Sequence, residues 1–144
     1  MKIAIGCDHG GYELKKSIVD LLTNEQCEVL DMGCNSSESV DYPDFANSLC
    51  KAVQNHEAQR GILICGTGIG MSIAANRFNG IRATLCHELF TAQMSREHND
   101  SNVLCLGARV VGPGLALEIV RTWLHGKFGG DRHQLRLDKF AAGC

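Results

Sequence analysis

The chain predicts a single-domain, three-layer α/β/α sandwich, in which helices cover both faces of a five-stranded parallel sheet. Five short apolar segments alternate with segments of helical spacing, which is the pattern of strand–helix units on a parallel sheet. The third apolar segment, Gly61 to Cys65, is apolar at almost every position, as in a strand covered on both faces. A length of 144 residues suits one domain with a substantial core.

The predicted strands are short runs of aliphatic residues and cysteine. They extend from Lys2 to Cys7, Glu28 to Met32, Gly61 to Cys65, Ile81 to Cys86 and Val103 to Leu106. Four of the cysteines lie in or at the end of these runs, where cysteine behaves as a small hydrophobic residue.

Apolar residues recur with a 3.6-residue period between the strands. Tyr12 to Asn24 places four aliphatic residues on one face, and Phe45 to Gln54 repeats the period after Pro43, with Asp44 as its cap. The other helices are predicted at Ile69 to Arg77, Glu88 to Asn99 and Pro113 to His125, and a short basic helix, Arg132 to Phe140, lies in a C-terminal tail of about residues 127–144.

The composition is that of an ordinary globular protein, with 44% hydrophobic and 21% charged residues. A net charge of −2 gives no reason to expect nucleic acid or an anionic membrane as partner. No apolar stretch approaches ~20 residues, and the chain enters a strand at Lys2, so neither a membrane span nor a signal peptide is expected. None of the eight cysteines has C-x-x-C spacing, which predicts a reduced, cytoplasmic protein without a zinc site.

The reactive side chains of the sequence follow its first, third and fifth strands. Asp8 and His9 come after the first strand, Cys65 closes the third, and Arg109 follows the fifth. In open parallel sheets, ligands bind outside the carboxyl ends of the strands. We therefore expect an acid, an imidazole, a thiol and a guanidinium at one edge of the sheet.

A glycine-rich loop, Gly66 to Gly70, connects the third strand to a helix. Such a loop exposes backbone N–H groups at a helix N-terminus, where anions bind and the thiolate of Cys65 is favoured. Cys65 alone would suit a structural role, but glycines at every second position serve close backbone approach rather than packing. The loop lacks the lysine of a P-loop. Its G-x-G-x-G spacing after a third strand disfavours a dinucleotide site, although Glu88 lies near the position of a ribose-binding acid.

Structural interpretations remain open for the other candidates. Asp8 and His9 would also suit a cap of the first helix, and His98 would suit an exposed helix C-terminus, where a cation is favoured. Arg132 and Arg136 lie four residues apart on one helix face, which fits phosphate binding and equally a solvated basic surface.

Six segments that span nearly the whole chain carry a family resemblance: Ile5–Gly11, Asp41–Asp44, Ile64–Asn76, Ser95–Asp100, Gly107–Gly112 and Arg132–Arg136. The most specific are Cys-Gly-Thr-Gly at 65–68 and His-Asn-Asp at 98–100. Together they resemble the B-type ribose-5-phosphate isomerase family, which includes galactose-6-phosphate and allose-6-phosphate isomerases. The resemblance implies a Rossmann-like sandwich that acts on a sugar phosphate as a homodimer or dimer of dimers, with no cofactor and no metal.

The resemblance also implies catalytic roles. Cys65 would be the base that moves a proton between C1 and C2 of an open-chain sugar through an enediolate. His98 would open the furanose ring with assistance from Asp8. The enediolate would be stabilised by the Thr67 hydroxyl and by the backbone amides of Gly66, Gly68, Ile69 and Gly70.

The implied binding residues complete the candidate site. Tyr42 and Asn99 would contact sugar hydroxyls. The phosphate would be held by His9, Arg109, Arg132 and Arg136. In the family, His98, Asn99 and Arg109 reach the site from the partner subunit, so the active sites would be shared and the dimer obligatory.

Two positions depart from the family pattern. Met71 occupies a loop position where some relatives carry a glutamate base, so the cysteine version of the chemistry applies here. Asp131 replaces an expected glycine before Arg132, and an acid at this place is expected either to weaken phosphate binding or to reorient Arg132. An isomerase of a six-carbon sugar phosphate and a non-catalytic sugar-phosphate-binding subunit remain the alternatives; the second has no need for a base at Cys65.

Overall fold

A five-stranded parallel sheet forms the middle layer of the computed structural model, which describes residues 1–141. The strands are β1 (Lys2–Cys7), β2 (Glu28–Asp31), β3 (Arg60–Cys65), β4 (Ala83–Leu85) and β5 (Val103–Gly107). Their order across the sheet is β2-β1-β3-β5-β4, and every neighbouring pair is parallel. The predicted sheet is confirmed, with β4 shorter than expected.

Six helices surround the sheet: α1 (Tyr12–Asn24), α2 (Tyr42–Gln54), α3 (Ile69–Ala75), α4 (Leu89–Asn99), α5 (Pro113–His125) and α6 (Asp131–Ala141). All six helices were predicted, and the bounds of α1 and α5 match the expected ones. The part of the predicted C-terminal tail at 142–144 lies outside the described residues. Of the helices in residues 1–141, none is both long and apolar enough to cross a membrane.

Alternate residues of the central strands pack into two separate cores. Ile62 and Ile64 of β3 face a core formed with α1, α4 and α5, which also contains Trp123. Leu63 and Cys65 face the opposite core, formed with α2 and α3. This alternation follows from the two-residue period of a strand and confirms that β3 is covered on both faces.

The start of α2 differs from the prediction. The helix begins at Tyr42 rather than Phe45, with Asp41 as N-cap residue and Pro43 inside the first turn. Proline is tolerated there because the first N–H groups of a helix have no intrahelical partner. The longer helix places Tyr42 at its N-terminus, at the edge of the sheet where β3 ends.

Glu88 has a local structural role. Its carboxylate accepts hydrogen bonds from the backbone N–H groups of Phe90 and Thr91, at 2.6 and 2.7 Å, and so caps α4. Hydrogen bonding to Thr91 lowers the pKa of this carboxyl group. Glu88 therefore serves as the cap of α4 and not as the ribose-binding acid of a dinucleotide site.

Candidate active site

The Cys65 thiol lies inside the turn that leaves β3. The residue is 5% exposed, and the backbone N–H of Gly68 donates a hydrogen bond to its Sγ at 3.1 Å. Gly68 has a left-handed φ of 77°, which lets the chain fold back over the sulfur before α3 begins. The sulfur therefore faces a backbone N–H donor within the glycine loop.

The other buried cysteines have different surroundings. Burial raises the pKa of the Cys7 and Cys50 thiols to about 12, and burial also raises that of Cys105 well above its usual value. These thiols remain neutral and behave as apolar side chains. Among residues 1–141, Cys65 is the cysteine whose sulfur accepts a backbone N–H.

Asp8 and His9 lie next to this turn, at the end of the neighbouring strand β1. Asp8 Oδ1 accepts hydrogen bonds from the N–H groups of Gly10 and Gly11, at 2.9 and 3.2 Å, so it caps the 3-10 turn His9–Gly11 that precedes α1 and not α1 itself. His9 Nδ1 accepts a hydrogen bond from the Val40 N–H at 3.3 Å. That bond leaves Nε2 to carry the proton of the neutral imidazole, as a donor available to a ligand.

This edge coincides with the reversal of strand order. The helix after β1, α1, and the helix after β3, α3, pack on opposite faces of the sheet. Open α/β sheets bind ligands outside the strand ends at such a switch point. Gly10 and Gly66 meet there, since a Cβ built on Gly10 would lie 3.3 Å from the Gly66 nitrogen.

Tyr42 and Arg109 complete the same edge. The Tyr42 ring lies over Gly70, where a Cβ would come within 2.6 Å of the ring carbon Cζ. The Arg109 guanidinium lies beside Gly66, with Nη1 3.3 Å from the position a Cβ would take. Gly66 thus makes room for Arg109, and Gly70 for Tyr42, the residue that the family resemblance placed in the site.

Arg109 departs from the expectation that it arrives from a partner subunit. Cys65 pairs with Gly107 in the sheet, and the Arg109 N–H donates to the Gly66 carbonyl at 2.9 Å. Because Arg109 is only two residues beyond that pair, its side chain reaches the glycine loop of its own chain.

Gly107 sets the height of the loop above the sheet. A Cβ at this position would lie 2.6 Å from the backbone carbon and oxygen of Thr67, so Gly107→Ala must displace the loop. We expect this variant to lose about 1–3 kcal/mol in the free energy of unfolding, the usual cost of overpacking. Urea unfolding measures the loss. Gly114→Ala is the matched control, because its Cβ would enter open space on α5; an equal loss in the control would contradict the explanation.

His98 and Asn99 lie at the other edge of the sheet. They end α4, which runs back from the carboxyl edge, and β5 begins only four residues after Asn99. The length of β5, from Val103 to Gly107, separates that end from the level of Cys65 by about 13 Å at ~3.3 Å per residue. In a single chain, His98 and Cys65 are therefore not brought together.

Arg132 and Arg136 accompany His98 rather than Cys65. The Gly129 N–H donates to the Glu97 carbonyl at 2.9 Å, which fixes the start of α6 against the end of α4. Both arginines are exposed, and neither has a carboxylate within ion-pairing distance among residues 1–141. They form an unpaired positive surface beside His98.

The rings of His98 and His133 stack, with centroids 4.3 Å apart and planes inclined by 10°. His133 was not predicted as a site residue, although it lies between the two arginines in sequence. Its contact with His98 joins residues 35 positions apart, and no spacing rule along one helix reveals such a pair.

Two cavities, of about 730 and 660 Å³, open on the His98 side of the molecule. Arg82 and Asn102 line the first, and Asn99 and Leu137 line the second; neither is lined by Cys65 or its glycine loop.

The candidate residues form two groups on opposite edges of the sheet. We call them the thiol edge (Asp8, His9, Tyr42, residues 65–70 and Arg109) and the histidine edge (His98, Asn99, Arg132, His133 and Arg136).

Comparison with known proteins identifies the family of this chain. The Ribose/Galactose Isomerase family model matches residues 3–140. Ribose-5-phosphate isomerase B of Escherichia coli (strain K12) is 53% identical over 141 residues, covering 98% of this chain and 95% of that protein. D-erythrulose-4-phosphate isomerase of Pectobacterium atrosepticum is 44% identical over 140 residues, covering 96% and 92%.

Solved structures agree with the sequence comparison. Ribose-5-phosphate isomerase B of Clostridium thermocellum superposes with a TM-score of 0.97 at 56% identity, covering 99% of this chain and 96% of that one. The type B ribose 5-phosphate isomerase of Trypanosoma brucei gives a TM-score of 0.96 at 49% identity, covering 99% and 98%. A match over almost the full chain, with the glycine loop and strand ends in the expected places, shows that this chain belongs to the ribose/galactose isomerase family.

Proposed function

We propose that this protein interconverts ribose 5-phosphate and ribulose 5-phosphate through an enediolate, with Cys65 as the base. The observation that carries the proposal is the Cys65 thiol under the Gly68 N–H, at the sheet edge that also holds Asp8, His9 and Arg109. The relatives named ribose-5-phosphate isomerase B support the same substrate.

The chemistry follows from the thiol edge. The Cys65 thiolate removes the proton from C2 of the open-chain aldose, the C–H electron pair forms the C1=C2 bond, and the carbonyl pair moves onto O1. The backbone N–H groups of Gly66 and Gly70 and the Thr67 hydroxyl stabilise the resulting oxyanion. The Gly68 N–H is instead directed at the Cys65 sulfur, and the Ile69 N–H at Thr67 Oγ1. Return of the proton to C1, with transfer of the hydroxyl proton from O2 to O1, yields the ketose.

Ring opening requires a second copy of the chain. His98 is the proposed acid–base group for that step, yet it lies a strand's length from Cys65 in its own chain. We infer a homodimer in which His98 of the partner subunit faces Cys65, with Asp8 assisting. Apolar side chains beside the thiol edge offer a surface for this contact: Ile69, Ile73, Leu89, Phe90 and Val110 are 42–67% exposed.

Phosphate binding draws on both edges. His9 offers its Nε2–H, and the Arg109 guanidinium lies beside Gly66 on the same thiol edge. Arg132 and Arg136 share one face of α6 and belong to the histidine edge, so they would come from the same subunit as His98. Together with Tyr42 and Asn99 on the sugar hydroxyls, these groups account for a phosphorylated sugar as the substrate.

The decisive experiment compares substrates. We expect kcat/KM to be highest for ribose 5-phosphate when it is assayed beside allose 6-phosphate, galactose 6-phosphate and D-erythrulose 4-phosphate, the last because one relative carries that name. A higher value for a six-carbon or four-carbon substrate would reassign the substrate within the family. Calorimetric binding of all four without turnover would instead indicate a non-catalytic binding subunit.

Arg136→Ala tests the phosphate assignment. Charge-assisted hydrogen bonds contribute about 1.5–3 kcal/mol, so we expect KM to rise roughly 10- to 150-fold with a smaller change in kcat. Steady-state kinetics at fixed ionic strength measure both constants. Lys139→Ala removes another exposed positive charge from the same helix and serves as the control. An unchanged KM in Arg136→Ala would move the phosphate elsewhere.

A further inference from the structure

We propose that His133 is a positioning residue for the isomerase: its ring stacks on His98 and fixes the plane of the imidazole that carries out the proton transfer. This inference rests on the proposed function, since it assigns His98 a proton transfer. The role is orientation of the His98 ring, which neither Arg132 and Arg136 nor the glycine loop provides.

The stack orients a side chain that is otherwise free to rotate. His98 lies in the last turn of α4 with 39% of its side chain exposed, and the carboxylate of the adjacent Glu97 is 3.9 Å from Nε2. A hydrogen bond at that distance is absent. The parallel ring of His133, 4.3 Å away, is therefore the contact that defines the orientation of His98 among residues 1–141.

His133 is itself held firmly. Its residue is 7% exposed, its backbone N–H donates to the Gly130 carbonyl at 2.8 Å, and the Gly129 N–H ties the preceding turn to Glu97. Gly129 passes close to the imidazole, because a Cβ there would lie 3.5 Å from Cδ2 of His133. The buried His133 ring, held by the turn at Gly129 and Gly130, therefore supports the partly exposed His98 ring at the end of α4.

The charges around His133 keep it neutral. His98 and Glu97 face it from α4, and Arg132 and Arg136 face it from α6. Burial lowers the pKa of His133, and the positive charges of His98, Arg132 and Arg136 lower it further, against a smaller opposing effect of Glu97. Protonation of His133 below this lowered pKa would place like charges on two stacked rings.

The Nδ1 atom of His133 also favours the neutral form of this ring. His133 Nδ1 is buried and has no hydrogen-bond partner among the described residues. A protonated imidazole would carry an N–H there without an acceptor, which burial disfavours. The neutral ring leaves only an unpaired lone pair, so burial of Nδ1 favours the uncharged form of His133.

The experiment compares three ring replacements. His133→Phe retains a flat, uncharged ring. His133→Leu removes the stacked ring but retains most of the buried volume, and His133→Ala removes both. Leu135→Ala, an exposed neighbour on α6, is the control. The assay is kcat and KM for ribose 5-phosphate from pH 5 to 9, together with His98 ring chemical shifts and their titration by NMR.

We expect His133→Leu and His133→Ala to lower kcat about 10-fold or more, the scale for a misplaced catalytic group, with little change in KM. The His98 ring protons should lose the shielding caused by a stacked ring in both variants. His133→Phe should retain that shielding and kcat within about 3-fold, because the flat ring is what orients His98.

Contrary outcomes are separable. If the wild-type protein isomerises ribose 5-phosphate and His133→Leu has the same kcat, the positioning role is overturned and the proposed function stands. Equal losses in His133→Phe and His133→Leu would also overturn it, since the flat ring would then have no part. A wild-type protein that does not isomerise ribose 5-phosphate at all would instead remove the proposed function, and the positioning role with it.

Discussion

Cys65→Ser is expected to lower kcat for ribose 5-phosphate by ~10² or more while the fold survives. Serine has nearly the same volume as cysteine and can still accept the Gly68 N–H, but its hydroxyl is far harder to ionise than a thiol. A positioned base typically contributes 10²–10⁴ to the rate, so this loss corresponds to removal of the base alone. Steady-state kinetics measure the effect, and circular dichroism verifies the fold.

Cys27→Ser is the matched control for that substitution. Cys27 is partly exposed between α1 and β2, at the opposite edge of the sheet from the glycine loop, so the same exchange there should leave kcat unchanged. Near-wild-type kcat in Cys65→Ser, with unchanged circular dichroism, would contradict the assignment of Cys65 as the base.

Mixing two inactive variants should restore activity. Cys65→Ser and His98→Asn each lose a group needed at every site, so each alone should be reduced ~10² or more. When the two chains are co-refolded, half of the random dimers are mixed, and each mixed dimer has one site with an intact thiol edge facing an intact histidine edge. About one quarter of wild-type activity should return.

The control pair uses two variants of the same edge. Cys65→Ser and Arg109→Ala both damage the thiol edge, so a mixed dimer contains no intact site and mixing should restore nothing. Recovery with this pair would mean that Arg109 acts across the interface. No recovery with Cys65→Ser and His98→Asn would mean that a single chain supplies both groups, against the two-edge arrangement.

His98→Asn also separates ring opening from proton transfer. Turnover of cyclic ribose 5-phosphate should fall far more than binding of an open-chain hydroxamate mimic of the enediolate, because only the cyclic substrate needs the ring-opening acid. Equal losses in turnover and in mimic binding would assign His98 to general binding or structure.

The sequence predicted the sheet and the thiol edge because both depend on local patterns. Apolar runs identified the strands, and the end of a parallel strand fixes the edge at which Asp8, Cys65 and Arg109 must lie. The start of α2 was missed because Pro43 was taken to precede the helix, whereas a proline fits its first turn. Tyr42 therefore entered the candidate site by resemblance and not by its place on α2.

The histidine edge was less accessible to sequence reasoning. The place of α6 against α4 depends on contacts such as the Gly129–Glu97 hydrogen bond, which join segments about 30 residues apart and follow no period. For this reason the sequence grouped Arg132 and Arg136 with the phosphate site without indicating which chain supplies them, and His133 was overlooked. Arg109 was assigned to a partner by resemblance, while the pairing of Gly107 with Cys65 places it on its own loop.

If the sites are shared between two chains as proposed, the separation of His98 from Cys65 along β5 makes catalysis depend on the concentration of the protein. If the substrate contacts both chains, every bound substrate also strengthens their association, and the two equilibria are coupled by mass action. Specific activity per chain would then fall on dilution and recover on addition of a tight ligand. Substitutions in the apolar contact surface would register as a loss of turnover even though they touch no reacting atom.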